Sequence, residues 1–218
     1  MSSPAPPSSY LVPAGDSQIE FTEKRSRFIG FIWRIRTEEE AKTRIAAIQK
    51  EHADATHNVY AYCVNETLMR YSDDGEPQGT AGIPTLNVLR QANIAEVCCV
   101  VTRYYGGILL GAGGLVRAYS KAAKLALEGA GRAAMLPFDK LTFHCPYALF
   151  EQIKVSIAHH QGHITTSDFG ADIYLALHLP TEHTPALMHH LQTLSAGSIV
   201  PKILDTCLME QRLEEERV

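Results

Sequence analysis

RYYGGILLGAGGLVRAY, running from Arg103 to Tyr119, places five glycines (Gly106, Gly107, Gly111, Gly113 and Gly114) between two segments of opposite character. Ahead of it, Val97 to Thr102 is a short apolar, β-branched run, the pattern of a strand buried on both faces. Behind it, Leu115, Tyr119, Ala122 and Ala126 recur at helical spacing and mark a core-facing stripe. The reading is therefore strand, glycine-rich turn, helix. Glycine adds nothing to a core and costs chain entropy, so a cluster of five needs a backbone reason. Either the chain turns with positive φ, or it passes close to a ligand or a neighbouring segment. The helix leaving the turn presents free N–H groups and the positive end of its dipole, an arrangement that favours an anion.

Cations gather around this turn. Arg103 precedes it, while Arg117, Lys121 and Lys124 follow at i, i+4 and i+7 on one helix face. Lys24, Arg25 and Arg27 surround an earlier strand start, with Arg25 and Arg27 on one face by period two. His57, before a strand beginning near Val59, is a further neighbour to consider. The candidate anion- or partner-binding set is Arg103, Tyr104, the five glycines, Arg117, Lys121, Arg25 and Arg27. The same residues also suit tight packing beside an ordinary basic surface. No Lys-Ser or Lys-Thr follows the last glycine, so the P-loop pattern is absent.

A second motif, SDDGEPQGTAG from Ser72 to Gly82, puts Asp73, Asp74 and Glu76 within four residues. Carboxylates this close repel one another unless a cation or N–H groups neutralise them. They are candidate ligands for Mg²⁺, with a substrate phosphate completing its shell. Asp-Gly and Glu-Pro are equally ordinary turn formers. His159-His160 and His189-His190 are neighbours on predicted helices and diverge by about 100°, so neither pair shares one metal. No GxSxG elbow and no Cys/His spacing marks a nucleophile. An enzyme reading has no named catalytic residue.

The 218 residues are enough for one large or two small domains. Charge is balanced through Asp139 and reaches −4 beyond it, where eight of the ten histidines also lie. That balance argues against binding nucleic acid by bulk charge, and no DNA partner is expected. Five scattered cysteines without CxxC spacing fit a reducing, cytoplasmic setting. No run is long and apolar enough for a membrane span. Residues 1–15, rich in Pro and Ser, read as a disordered tail. Residues 16–136 then form a first α+β domain, with a capped helix from Thr37 and another starting near Pro84. In residues 137–210, Leu141, Phe143 and Cys145 alternate as a strand; Leu149, Ile153 and Ile157 step as a helix; two strands flank Gly170. Leu187, Leu191 and Leu194 mark a helix, and a last strand runs from Ser198 to Met209. The order is βαββαβ, that of a ferredoxin-like domain. Residues 211–218 read as a charged tail.

SDDGEPQGTAG and VVTRYYGGILLGAGGLVRAY, with KRSRF at Lys24 to Phe28 and DATHNVYAY at Asp54 to Tyr62, resemble the IMPACT family, specifically its bacterial YigZ-like type. The resemblance implies a first domain similar to domain 2 of ribosomal protein S5. It implies a ferredoxin-like second domain similar to the last domain of elongation factor G. It also implies a regulatory link to translation, with a protein or RNA of that machinery as partner. The eukaryotic members act in the amino-acid-starvation kinase pathway and carry an additional RWD domain ahead of the shared motifs. This chain is too short there to hold one, which leaves the more general translation-linked role. The family supplies no agreed catalytic residues. The competing expectation is a Mg-dependent enzyme acting on a phosphorylated or anionic small molecule, which requires the two motifs to face one pocket.

Overall fold

The computed structural model describes residues 9–213, which fold into two compact units, 10–134 and 135–211. The first unit runs β1 (Tyr10–Pro13), β2 (Ser17–Glu23), β3 (Ser26–Arg34), α1 (Glu38–Glu51), β4 (His57–Cys63), β5 (Met69–Ser72), α2 (Gly82–Gln91), β6 (Val97–Tyr104) and α3 (Ala112–Ala130). Strands β2 to β6 form an antiparallel sheet in the order β2-β3-β6-β4-β5. Its central strand, β6, is the apolar run ahead of the glycines. Val97, Cys99 and Val101 pack toward α2 and α3, whereas Cys98 and Val100 pack toward α1. Both faces are covered, so the strand carries no polar alternation.

Local signals set the helices. The Thr37 hydroxyl caps α1 by accepting the Glu40 N–H at 3.1 Å. The Glu40 carboxylate accepts from the Arg36 N–H, one residue before the cap, so the reciprocal bond of a capping box is displaced by one. Helix α3 buries Leu115, Tyr119, Ala122 and Ala126 as its spacing predicts. It passes so close to the sheet that a Cβ on Gly30 would lie 2.9 Å from the Ala122 carbonyl oxygen. Helix α2 starts at Gly82, two residues before Pro84, because its first N–H groups find an acceptor in the preceding loop.

The tail expected through residue 15 needs correcting for residues 10–13, which form β1. Val12 is fully buried, and Leu11 bridges to Ile94, so two apolar residues dock this segment. Residues 1–8 and 214–218 of the expected tails lie outside the described residues.

The second unit contains most of β7 (Arg132–Cys145), then α4 (Tyr147–His159), β8 (His163–Phe169), β9 (Ile173–Pro180), a 3₁₀ turn at 181–183, α5 (Thr184–Leu194) and β10 (Lys202–Arg212). The strand order β10-β7-β9-β8 and the sequence βαββαβ are those of a ferredoxin-like fold. Ile173, Leu175, Leu177 and Leu179 face α4 and α5 in strict alternation. The last strand begins at Lys202, later than Ser198. The Ser195 hydroxyl accepts the Ile199 N–H at 3.0 Å and holds that stretch in a turn. The whole is a mixed α/β fold with two sheets and five α-helices. Among the described residues no helix is long and apolar enough to cross a membrane.

Candidate functional site

The site begins with β6 register. Phe28 of β3 and His57 of β4 both lie opposite Arg103, so the three share a cross-strand row. Arg103 therefore emerges on the α3 face between an aromatic ring and an imidazole. Its side chain is only 6% exposed, and it donates at 2.6 Å to Glu76, whose side chain is 3% exposed. The Tyr119 hydroxyl of α3 donates to the same Glu76 oxygen at 2.7 Å. Burial, with Glu76 beside it, pushes the Tyr119 hydroxyl far above its ordinary pKa, so it remains a donor. The Ser26 hydroxyl accepts from Arg103 at 3.3 Å and from the Gly106 N–H at 3.2 Å. This network joins both sequence motifs to the β2–β3 turn.

The three acidic residues of the Ser72–Gly82 loop do not converge. The Asp73 carboxylate accepts the N–H groups of Gly79, Ala81 and Gly82 at 2.8, 3.0 and 2.8 Å. Asp74 accepts the Asn58 N–H at 2.5 Å, and its carbonyl receives the His57 Nδ1 at 2.7 Å. Glu76 turns inward to Arg103. The expected Mg²⁺ ligand set of Asp73, Asp74 and Glu76 is corrected accordingly: each carboxylate already neutralises a different donor. No cluster of three metal-ligating side chains occurs among the described residues.

In the glycine turn, space and conformation divide the five positions. A Cβ on Gly106 would lie 2.0 Å from the Arg25 carbonyl, and one on Gly114 would lie 2.9 Å from Leu110 Cβ. Gly107 and Gly111 have open surroundings but φ of 83° and 72°, which disfavour any side chain. Gly113 is constrained by neither: its Cβ would meet only the Arg117 guanidinium, at 3.6 Å. Helix α3 starts after Gly111 without a side-chain cap and without an acid in its first turn. The first N–H bonded within the helix is that of Leu115, to Gly111.

Two depressions lie beside this helix start. One, of about 240 Å³, is bordered by Lys24, Arg117 and Lys121, with Glu23 the only acid on its rim. Among the described residues, none of those three cations makes an ion pair; Lys121 instead lies over the Phe21 ring at 4.5 Å. The other is a cavity of about 390 Å³ lined by His57, Glu76, Arg103, Tyr105, Gly111 and Ala112, together with Leu109, Leu110 and Leu115. The two motifs do share this cavity.

Three candidate residues sit elsewhere. Tyr104 follows Arg103, so the strand's period of two sends it to the α1 face, where it contacts His52 and Asp54. Arg27 also lies over Tyr104 and is held by Glu20 through two 2.8 Å bonds. Arg25 occupies the β2–β3 turn with φ of 66°, its backbone packed under Gly106 and its side chain exposed. Lys24, rather than Arg27, joins the α3 cations. Lys124 pairs with Glu128 at 3.8 Å. The sequence reading did not find the Glu76–Arg103–Tyr119 network. Its members are 27 and 43 residues apart, and only the packing of α3 and the Ser72–Gly82 loop against β6 brings them together.

Comparison with known proteins matches both units in order. Residues 24–127 match the Impact N-terminal domain, and residues 143–198 match a domain of unknown function, DUF1949. The IMPACT family member YigZ of Escherichia coli K12 is 35% identical over 195 residues, covering 88% of this chain and 96% of that protein. YvyE of Bacillus subtilis is 46% identical over 125 residues, spanning 56% of this chain and 58% of its own length. Human Protein IMPACT is 35% identical over 107 residues, a third (33%) of its length. A solved structure described as a hypothetical protein is 34% identical, with a TM-score of 0.57 over 90% of this chain and 98% of its own. With both domain models matched and a relative aligned along nearly its whole length, the chain belongs to the IMPACT family, in its two-domain form.

Proposed function

We propose that this protein is a translation-linked regulatory protein that binds its partner through the cationic surface beside the glycine turn. Family membership supports a translation-related regulatory role and nothing finer. The observation that carries the surface is the convergence of Lys24, Arg117 and Lys121 on one hollow. They come from two separate elements and lack carboxylate partners among the described residues. Beside them, α3 starts without a cap. Cations without carboxylate partners among the described residues, next to free helix N–H groups, suit a phosphate of RNA or a carboxylate cluster on a protein. The second unit is net acidic by sequence, which weighs toward an acidic protein surface over extended RNA contact.

The Mg-dependent enzyme reading has one point in its favour, the cavity shared by both motifs. Against it, Asp73, Asp74 and Glu76 are engaged by three different sets of donors.

Capture from cell lysate tests the binding reading, at low and moderate salt, with and without ribonuclease. Wild type should retain translation components, and Arg117→Glu/Lys121→Glu should lose them by about tenfold or more, roughly 1.4 kcal/mol per factor of ten. Equal capture by both proteins would refute the surface. Loss on ribonuclease treatment would identify RNA as the ligand.

A further inference from the structure

Helices α2 and α3 leave an open trough between them, and Lys121 borders both this trough and the cationic hollow. The trough has a volume of about 540 Å³. Ile83, Asn87 and Gln91 border it along α2, and Val116, Ser120 and Lys124 border it along α3. Both triplets step i, i+4, i+8, so each is one ridge of a helix surface, about 12 Å long. Pro84 and Val88 add to the apolar lining. Ile83 and Val116 are each 37% exposed, so large apolar side chains from two different helices stand open beside one trough.

Its charge is one-sided. No Asp or Glu borders the trough, whereas Lys121 and Lys124 do, and Arg117 is exposed on the same face of α3. Lys124 meets Glu128 at 3.8 Å, but both side chains are exposed and such a pair holds weakly. The α2 side offers only the neutral amides of Asn87 and Gln91. These features discriminate between occupants. Single-stranded RNA combines phosphate contacts with stacking of its bases on aromatic rings, and no aromatic side chain lines the trough. An added strand needs an open sheet edge, and both walls here are helices. A third helix fits, because its own ridge packs between the two that border the trough.

We infer that the trough docks an acidic amphipathic helix of a protein partner. About two turns of that helix place apolar residues at i, i+4 and i+7 against Ile83, Val88 and Val116. Asp or Glu on its flank face Arg117, Lys121 and Lys124. The inference rests on the cationic surface proposed above and takes its protein side: the α3 cations steer and orient the partner, and the apolar trough holds it. It adds α2, which that reading does not use, to the binding surface.

The test is selection on the full chain from a phage-displayed library of random peptides of about 16 residues, roughly four helical turns. Enriched peptides should carry apolar residues at i, i+4 and i+7 with Asp or Glu beside them. Titrating them should shift amides in α2 and in α3 from Val116 to Lys124. Ile83→Glu/Val116→Glu changes two exposed positions, so Tm should hold while affinity falls about tenfold or more. Lys121→Ala/Lys124→Ala should weaken binding several-fold and flatten its salt dependence. No enrichment, enriched peptides without that pattern, or unchanged affinity in Ile83→Glu/Val116→Glu would overturn the proposal. So would an oligouridylate that shifts the same amides and binds more tightly than any selected peptide, or self-association that Ile83→Glu/Val116→Glu abolishes. The two readings can fail separately. If Arg117→Glu/Lys121→Glu loses translation components from lysate while Ile83→Glu/Val116→Glu keeps them, the cationic surface stands and the trough is overturned. If Arg117→Glu/Lys121→Glu captures as wild type does while selected peptides still dock between α2 and α3, the cationic surface is refuted and the trough stands.

Discussion

The two glycine-bearing loops of the first unit meet the same problem, irregular backbone next to a helix start, in opposite ways. Between Ser72 and Gly82 the loop satisfies itself. Asp73 accepts three N–H groups, two of them at the start of α2, and thereby does the capping that Ala81 cannot. Between Tyr105 and Gly114 the loop is shaped by glycine conformation and close packing, and its helix start is left open. A cluster of acids thus marks scaffold here, whereas a cluster of glycines with nearby cations leaves a helix start open, the surface we propose for recognition. Composition does not separate the two; the destination of each N–H does.

That contrast predicts which changes should unfold the protein. The largest effect is expected at the link between the loops. Glu76→Ala leaves Arg103 charged, buried and unpaired, and should cost about 3–5 kcal/mol in urea unfolding. A cost under about 1 kcal/mol would mean that the pair is not buried as described. Asp73→Ala removes the acceptor of three N–H groups and should cost about 2–4 kcal/mol, with Asp73→Asn intermediate.

The glycines should then split. Gly106→Ala forces a methyl into the Arg25 backbone and should cost at least about 1–3 kcal/mol as overpacking. Gly113→Ala enters open space inside a helix and should stabilise by up to about 1 kcal/mol. Equal destabilisation by both substitutions would make the entire turn a folding device and remove its distinction from the acidic loop.

The smallest effect concerns alkaline pH. Burial and the Glu96 and Glu38 carboxylates push Tyr10 and Tyr62 from 10.0 up to about 12. The unfolded chain therefore loses these protons first as pH rises. Stability they contribute is complete below about pH 10 and disappears between about pH 10 and 12. Tyr62→Phe should flatten that decline in thermal melts, whereas an unchanged slope would assign it to other groups.

Much of the architecture was legible because it is written in local periodicity. The alternation at Ile173 to Leu179, the Thr37 cap and the stripe from Leu115 to Ala126 each identify an element without reference to another. The open start of α3 was legible for the same reason, since glycines without a capping side chain announce it. Direction of side chains was not. Arg103 and Tyr104 are adjacent in sequence but diverge across the sheet, and Arg27 turns to Glu20, a partner visible only once β2 and β3 are in register. Likewise, Asp73, Asp74 and Glu76 look like one cluster in sequence, while the loop sends each to a different donor. Strand β1 was hidden because Leu11 and Val12 supply only two apolar residues within a Pro- and Ser-rich stretch.

Native-state amide hydrogen exchange compares the two loops most directly. The amides of Gly79, Ala81 and Gly82 should exchange slowly, close to the rate set by unfolding of the unit, because Asp73 holds them. Those of Ala112, Gly113 and Gly114 should exchange by about two orders of magnitude or more faster in the free protein, and slow when the partner is bound. Similar protection of both sets in the free protein would contradict the account, since the helix start would then already have acceptors and no need of a partner.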